Sequence, residues 1–174
     1  MQKNQKLLFH LTSKTPDQTW FKKPISTMWH ELCSRLEVIQ NTYDADIISF
    51  LLMNNHFHLL IKTSVNDLHC SIKHLKPQTF QNQKIQHLSS RTYLYHAYRY
   101  IYQNPIRANL VKRVEDYPYS SLYDIWRGQK PPFSIIDRFG ILDDYKLHLL
   151  NQPITKEQSF KVKNIDAFKP TSVV

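Results

Sequence analysis

Residues 6–12, KLLFHLT, place Leu7, Phe9 and Leu11 on one face of an extended segment and His10 on the other, the two-residue period of a β-strand. Residues 13–24 carry Lys, Thr, Pro and Asp without periodicity and read as a loop. From Ser26 to about Tyr43 the apolar positions Trp29, Leu32, Cys33, Leu36, Ile39 and Tyr43 recur at helical spacing, which predicts an amphipathic helix. Two apolar runs, Ile47 to Met53 and Leu59 to Ile61, then flank Asn54-Asn55. That pattern predicts a β-hairpin over 46–63, with the asparagines in a two-residue turn whose positive φ they tolerate.

Ser64 or Asn66 caps a second predicted helix through Leu68, Ile72 and Leu75, which stops before Pro77. Residues 79–88, TFQNQKIQHL, are polar, but the alternation of Phe80 and Ile85 suits an edge strand. The order β-α-β-β-α-β is that of an α+β, ferredoxin-like antiparallel sheet with helices on one face, and it puts the second hairpin strand at the centre.

Ser90 starts a third helix that ends where Pro105 restricts Asn104. On it Tyr93, Ala97, Tyr100 and Asn104 share one face, and Tyr95, Tyr98 and Tyr102 share the opposite one. Pro105 suits the first turn of a short helix, PIRANLVKR, and EDYPYSSLYDIWRG reads as a turn plus a short helix. Pro131-Pro132 reads as a linker, 134–152 as one amphipathic helix with Leu142, Tyr145 and Leu149 on its apolar side, and the tail from Pro153 as polar and disordered. The expected division is a catalytic domain over 1–127 and a partly helical C-terminal extension over 128–174.

Composition narrows the partner. The 174 residues include 23 Lys and Arg against 14 Asp and Glu, a formal net charge of +9, interleaved with 3 Trp, 10 Tyr and 9 Phe. Basic side chains release counterions from phosphates and aromatic faces stack on unpaired bases, so nucleic acid is the expected partner. Cys33 and Cys70 are isolated and read as free, buried thiols of a reducing compartment. The N-terminal MQKNQKLLFH lacks a signal-peptide core and no run approaches a membrane span, which predicts a cytoplasmic protein without a membrane partner. The two glycines, Gly128 and Gly140, lie in no phosphate-cradling fingerprint.

The candidate chemistry centres on His56 and His58. Alternation puts both on one face of a strand, roughly 6.6 Å apart, with Phe57 turned to the other. A His-x-His pair is by itself as consistent with two ordinary strand histidines as with metal ligands. The weight comes from YRYIYQNPIRANLVKR, residues 98–113, where Tyr100 and Asn104 stand one helical turn apart. Two neutral imidazoles and a carboxamide can hold a divalent ion, Mg²⁺ or Mn²⁺, beside a tyrosine nucleophile. Arg107, Lys112 and Arg113 follow directly and are the candidate DNA contacts. A phosphotyrosine link retains the bond energy of the cut phosphodiester, so rejoining needs no ATP.

The segments MNNHFHLLIKT, YIYQNPIRANLV and EDYPYSS resemble the MPNHxHLLL, YIHLNPVRAGLV and DYPWSS segments of the REP-associated tyrosine transposases, single-tyrosine members of the HUH endonuclease superfamily. The resemblance runs from about Leu7 to Trp126. It implies a ferredoxin-like fold and metal-dependent cleavage of single-stranded DNA at hairpin-flanked sites through a 5′-phosphotyrosine, as in DNA transposition and recombination. Carried over by motif, His56, His58 and Asn104 hold the ion and Tyr100 is the nucleophile. Asn54 stands where the family has proline, Asn109 where it has glycine, and the stretch between Leu75 and Phe80 is shorter. The expected partner is single-stranded or hairpin DNA, bound by a monomer or homodimer. Two rival readings are a hairpin-binding module that no longer cuts, which the shortening permits, and a zinc hydrolase, which leaves Tyr100 without a role.

Overall fold

The computed structural model describes residues 5–75, 80, 82–131, 133–136 and 144–154. Four strands, β1 (Leu7–Lys14), β2 (Asp46–Leu52), β3 (His56–Thr63) and β4 (Asn82–His87), form one sheet in the order β2-β3-β1-β4. Every pairing is antiparallel. Helix α1 (Ile25–Thr42) joins β1 to β2 and α2 (Val65–Leu75) follows β3, so the chain has the ferredoxin-like β-α-β-β-α-β order. Ser64 starts α2: its Oγ accepts from Asp67 N at 3.1 Å and donates to the Asp67 carboxylate at 2.7 Å. The expected stop at Pro77 lies outside the described residues.

Both faces of the sheet are covered. On one, α1 and α2 pack Trp29, Leu32, Leu36, Leu68 and Leu75 against Phe9, Leu11, Phe50, Phe57 and Leu59. Trp29 stacks on Phe50 with ring centroids 5.3 Å apart. On the other, α3 (Arg91–Tyr102) sets Leu94, Ala97, Tyr98, Ile101 and Tyr102 against Ile48, Leu51 and Leu60. The helices of the first four-strand unit do share a face, and the later ones take the second. The reason is the near-continuous apolar run of β2, which has apolar side chains on both sides and needs two covers.

After α3 come α4 (Asn104–Arg107), α5 (Ser121–Trp126) and α6 (Asp144–Asn151). The free edge of β2 is closed by backbone and side chains from beyond α4. Leu52 N donates to Tyr119 O at 2.9 Å, Phe50 N donates to Ser121 Oγ at 3.0 Å, and the Tyr117 hydroxyl donates to Leu52 O at 2.9 Å. Ile136 N donates to Ile47 O at 2.9 Å. An unpaired edge is a template for strand addition, and these contacts remove it.

Three expectations change. The hairpin turn is two residues long, closed by Met53 N donating to His56 O at 2.7 Å, but neither Asn54 nor Asn55 has a positive φ. Their backbone carbonyls and the Asn55 side-chain amide instead bind a neighbouring loop, described below. Of the helix predicted over 134–152, α6 is present, whereas Ile135 bridges β2 at Ile47 instead; residues 137–143, Leu142 among them, lie outside the described residues. Cys33 is buried as expected, and Cys70 is exposed. Phe133 joins the first core and Leu147 and Leu150 the second, and the tail beyond 154 lies outside the described residues. Among the described residues no helix is long and apolar enough to cross a membrane.

Phe50 touches Trp29, Phe57 and Phe133, so Phe50→Ala is expected to cost about 3–5 kcal/mol in urea unfolding. Cys70→Ser, on the exposed side of α2, should stay within about 0.5 kcal/mol. Equal costs for the two would contradict this packing.

Candidate active site

His58 and Leu60 point to the face covered by α3, while Phe57, Leu59 and Ile61 point to the other core. Register then decides the neighbours of His58. Thr12 is its direct partner on β1, His10 is diagonal to it, and Gln86 on β4 lies opposite His10. The result is a buried polar row across three strands: Gln86 Oε1 is 3.1 Å from His10 Nδ1, and His10 Nε2 is 3.0 Å from His58 Nδ1. Thr12 Oγ1 stands 3.1 Å from the same His58 nitrogen.

The row has a direction. A carbonyl oxygen only accepts, so His10 Nδ1 carries its ring hydrogen and His10 Nε2 is a lone pair. The His10–His58 hydrogen bond then has His58 Nδ1 as its donor, which leaves His58 Nε2 without a hydrogen. At His56, Nδ1 donates to Asn55 Oδ1 at 2.6 Å, which again leaves Nε2 bare. Both rings are held in the tautomer that offers Nε2 to a metal, with the other nitrogen oriented by a hydrogen bond. The two ring centroids are 5.0 Å apart.

Burial keeps these rings neutral. Desolvation, with a smaller push from Lys14, lowers His56 to about 4. His10 is lowered to about 4 mainly by burial, against an upward pull from the Gln86 hydrogen bond. His58 is lowered well below the usual histidine range by burial, then by His10, His56, Lys14 and Arg107. Neutral imidazoles with free Nε2 lone pairs fit a divalent cation as ligands.

Tyr100 lies against this pair from α3, its ring 5.9 Å from that of His58 and nearly perpendicular to it. Gln103 keeps right-handed helical angles between α3 and α4, so Asn104 stays one turn beyond Tyr100. Asn104 Nδ2 donates to the carbonyls of Tyr100 at 2.9 Å and Ile101 at 3.1 Å. With the nitrogen tied to the helix, Oδ1 faces away from it and accepts from Arg107 Nη2 at 3.0 Å. The Arg107 guanidinium sits 4.1 Å from the Tyr100 ring centroid. His56, His58, Tyr100 and Arg107 are thus one chain of contacts, and Asn104 joins it through the Tyr100 carbonyl and Arg107.

The other candidates lie further along. Lys112 and Arg113 are exposed, and Arg113 is ion-paired to buried Glu115, which also accepts from Asn151 Nδ2 at 3.0 Å. That pairing gives Arg113 a role in seating α6. Asn109 has φ 56°, a left-handed conformation that asparagine tolerates and glycine adopts freely. Of the tyrosines, Tyr98 and Tyr102 are core residues at 1% and 0% exposure. His10 stands on the polar face of β1 that the alternation gives it, and Gln86, Thr12 and Lys14 were not among the candidates. The two-residue alternation of β1 and β4 carries all three on the His58 face. Among the described residues no cluster of three or more His, Cys, Asp or Glu is arranged to hold a metal, so an ion held by His56 and His58 needs a third ligand of another type.

No protein-family model matches the chain, and no curated protein does. A solved structure of a REP-associated tyrosine transposase bound to a REP hairpin is similar to it, with a TM-score of 0.56 and 16% identity. The match covers 79% of this chain and 90% of that one, and at this identity it shows the fold.

Two outcomes follow from the buried row. His10 and His56 titrate near 4 when folded and near the ordinary 6.5 when unfolded, so the unfolded chain binds more protons between those values. Unfolding free energy of the metal-free protein should be level above pH 6.5 and fall as pH drops toward 4; a level curve across that window contradicts the assignment. Second, ring ¹⁵N spectra should show Nδ1 protonated and Nε2 bare in both His56 and His58. Gln86→Leu should release His58 into a mixture of tautomers and leave His56 unchanged. A wild-type His58 protonated on Nε2 would overturn the direction of the row.

Proposed function

We propose that this chain is a metal-dependent single-stranded DNA endonuclease and strand transferase of the transposase kind, acting at hairpin-associated sites through a 5′-phosphotyrosine. The observation that carries the reading is the packing of Tyr100 against His58, whose ring lies 5.0 Å from that of His56. A pair of strand histidines with no chemistry does not call for a half-buried tyrosine at its edge and a guanidinium over that tyrosine. The fold shared with a hairpin-bound transposase, the +9 charge and the motif resemblance point the same way.

In this reading His56 and His58, with Asn104 as the third ligand, would hold Mg²⁺ or Mn²⁺. When bound, the ion supplies Lewis-acid polarisation of the scissile phosphate. Tyr100 Oη forms a bond to phosphorus as the bond from phosphorus to the 3′ oxygen breaks. The phenol proton leaves to solvent, the 3′ oxygen takes one up as a hydroxyl, and the 5′ phosphate stays on the tyrosine. Attack by a 3′ hydroxyl reverses the step and joins strands. The Arg107 guanidinium, already beside the ring, meets the negative charge that develops at the phosphate. Arg107 and Lys112 supply sequence-independent phosphate contacts; Arg113 does so only by giving up Glu115.

The test is incubation of the protein with Mn²⁺ and an end-labelled hairpin bearing single-stranded flanks. The expected product is a detergent-resistant adduct on the 5′ end. Tyr100→Phe should abolish the adduct and keep DNA binding. Tyr93→Phe and Tyr95→Phe are the controls, because Tyr98 and Tyr102 are buried and the Tyr102 hydroxyl is within 2.8 Å of Ser121 Oγ. His58→Ala should abolish cleavage with DNA affinity largely kept. Cleavage without an adduct supports a hydrolase, and binding without cleavage in Mg²⁺ or Mn²⁺ supports a hairpin-binding module.

A further inference from the structure

Trp20 is 75% exposed, the largest exposure among the large apolar side chains described. It sits on a loop that is tied down on both sides. Thr15 N donates to Asn55 O at 2.9 Å, Phe21 N donates to Asn54 O at 3.0 Å, and Asn55 Nδ2 donates to Gln18 O at 2.7 Å. Thr15 Oγ1 donates to Thr19 O at 2.5 Å, and the Phe21 ring packs edge-on to buried Phe80 at 5.4 Å. Asp17 and Gln18 both hold positive φ, 53° and 56°, to keep this path. Two non-glycine residues in that region cost free energy that a free loop would shed. The indole is therefore held out in water by a fixed frame.

The frame is the hairpin turn itself. Asn54 and Asn55, which hold the loop, directly precede His56, so the loop that carries Trp20 and the strand that carries His56 meet at one turn. Beside the indole is an open concavity of about 390 Å³ lined by Trp20, Phe21, Lys22, Lys23, Ile25 and Asn54. Lys22 and Lys23 are exposed, Lys23 pairing with Glu31 at 2.5 Å, and Lys14 lies across from His56. An aromatic face beside cations is complementary to a single strand of nucleic acid: a flat base with a phosphate on either side.

We infer that Trp20 is a stacking platform for an unpaired base of the DNA strand that enters the site, with Lys22 taking an adjacent phosphate. This deepens the function proposed above and rests on it. The test compares a DNA hairpin with single-stranded flanks and the same hairpin trimmed blunt, by fluorescence anisotropy with the full chain. Trp20→Ala should weaken binding of the flanked hairpin by about 5- to 150-fold, the worth of one stacked base, and leave the blunt hairpin unchanged. Trp20→Phe should keep most of the affinity, because a ring remains. The exposed indole buries little, so the thermal midpoint of Trp20→Ala should match wild type.

Equal affinity of wild type and Trp20→Ala for the flanked hairpin overturns this inference while leaving the proposed function in place. An equal loss on both probes also overturns it, since no unpaired base is then involved. A change in sedimentation of the DNA-free protein on Trp20→Ala assigns the patch to self-association instead. Failure of the wild type to bind either probe removes the proposed function and this inference together.

Discussion

A buried imidazole must be paired, and His58 is buried to 4% exposure in the middle of a sheet. Leaving such a group without partners costs roughly 1–3 kcal/mol, so the strands around it have to present hydrogen-bonding atoms at fixed places. Gln86 and His10 do this only because β4, β1 and β3 are aligned in one register. A one-residue slip of either pairing would turn the row to the opposite face and put apolar side chains in its place. The register therefore sets more than packing. It fixes which nitrogen of His58 carries the hydrogen, and with that what the ring can bind.

The rest of the fold serves that alignment. The two-residue turn between β2 and β3 is clamped by the Thr15–Phe21 loop, and the outer edge of β2 is held by Tyr117, Tyr119 and Ser121. The EDYPYSS stretch thus acts on the hairpin from outside: the Tyr117 hydroxyl, the Tyr119 carbonyl and Ser121 Oγ replace the strand that β2 lacks, and Ser120 also caps α5. The far end of the chain acts on α3 in the same way. Arg99 Nη2 donates to Gln152 O at 3.0 Å, and Gln103 Nε2 donates to Leu150 O at 2.7 Å, so α6 seats the helix that carries Tyr100.

Much of this was legible in the sequence, because period-two and helical apolar patterns respond to burial in the same way wherever they occur. The strand order, the central place of His56–Thr63, the first three helices and the grouping of Tyr100 with Asn104 all follow from such patterns. What escaped was non-local. The asparagine turn looks like one chosen for positive φ, but the Asn55 side chain serves the loop and His56, and the positive φ falls on Asp17 and Gln18 instead. Residues 134–152 have helical spacing, yet Ile135 and Ile136 meet an open strand edge, which outweighs their local preference. Gln86 looked like one polar residue among several, and its meaning appears only when His10 stands opposite it.

The central claim is that His56 and His58 present bare Nε2 atoms to one divalent ion beside Tyr100. Anomalous diffraction from crystals of the protein grown with Mn²⁺ tests it most directly. The account requires a single peak within bonding distance of both Nε2 atoms, with Asn104 Oδ1 turned from Arg107 toward it. A peak on His Nδ1 atoms, or Mn²⁺ bound elsewhere with the two imidazoles bare, would contradict it.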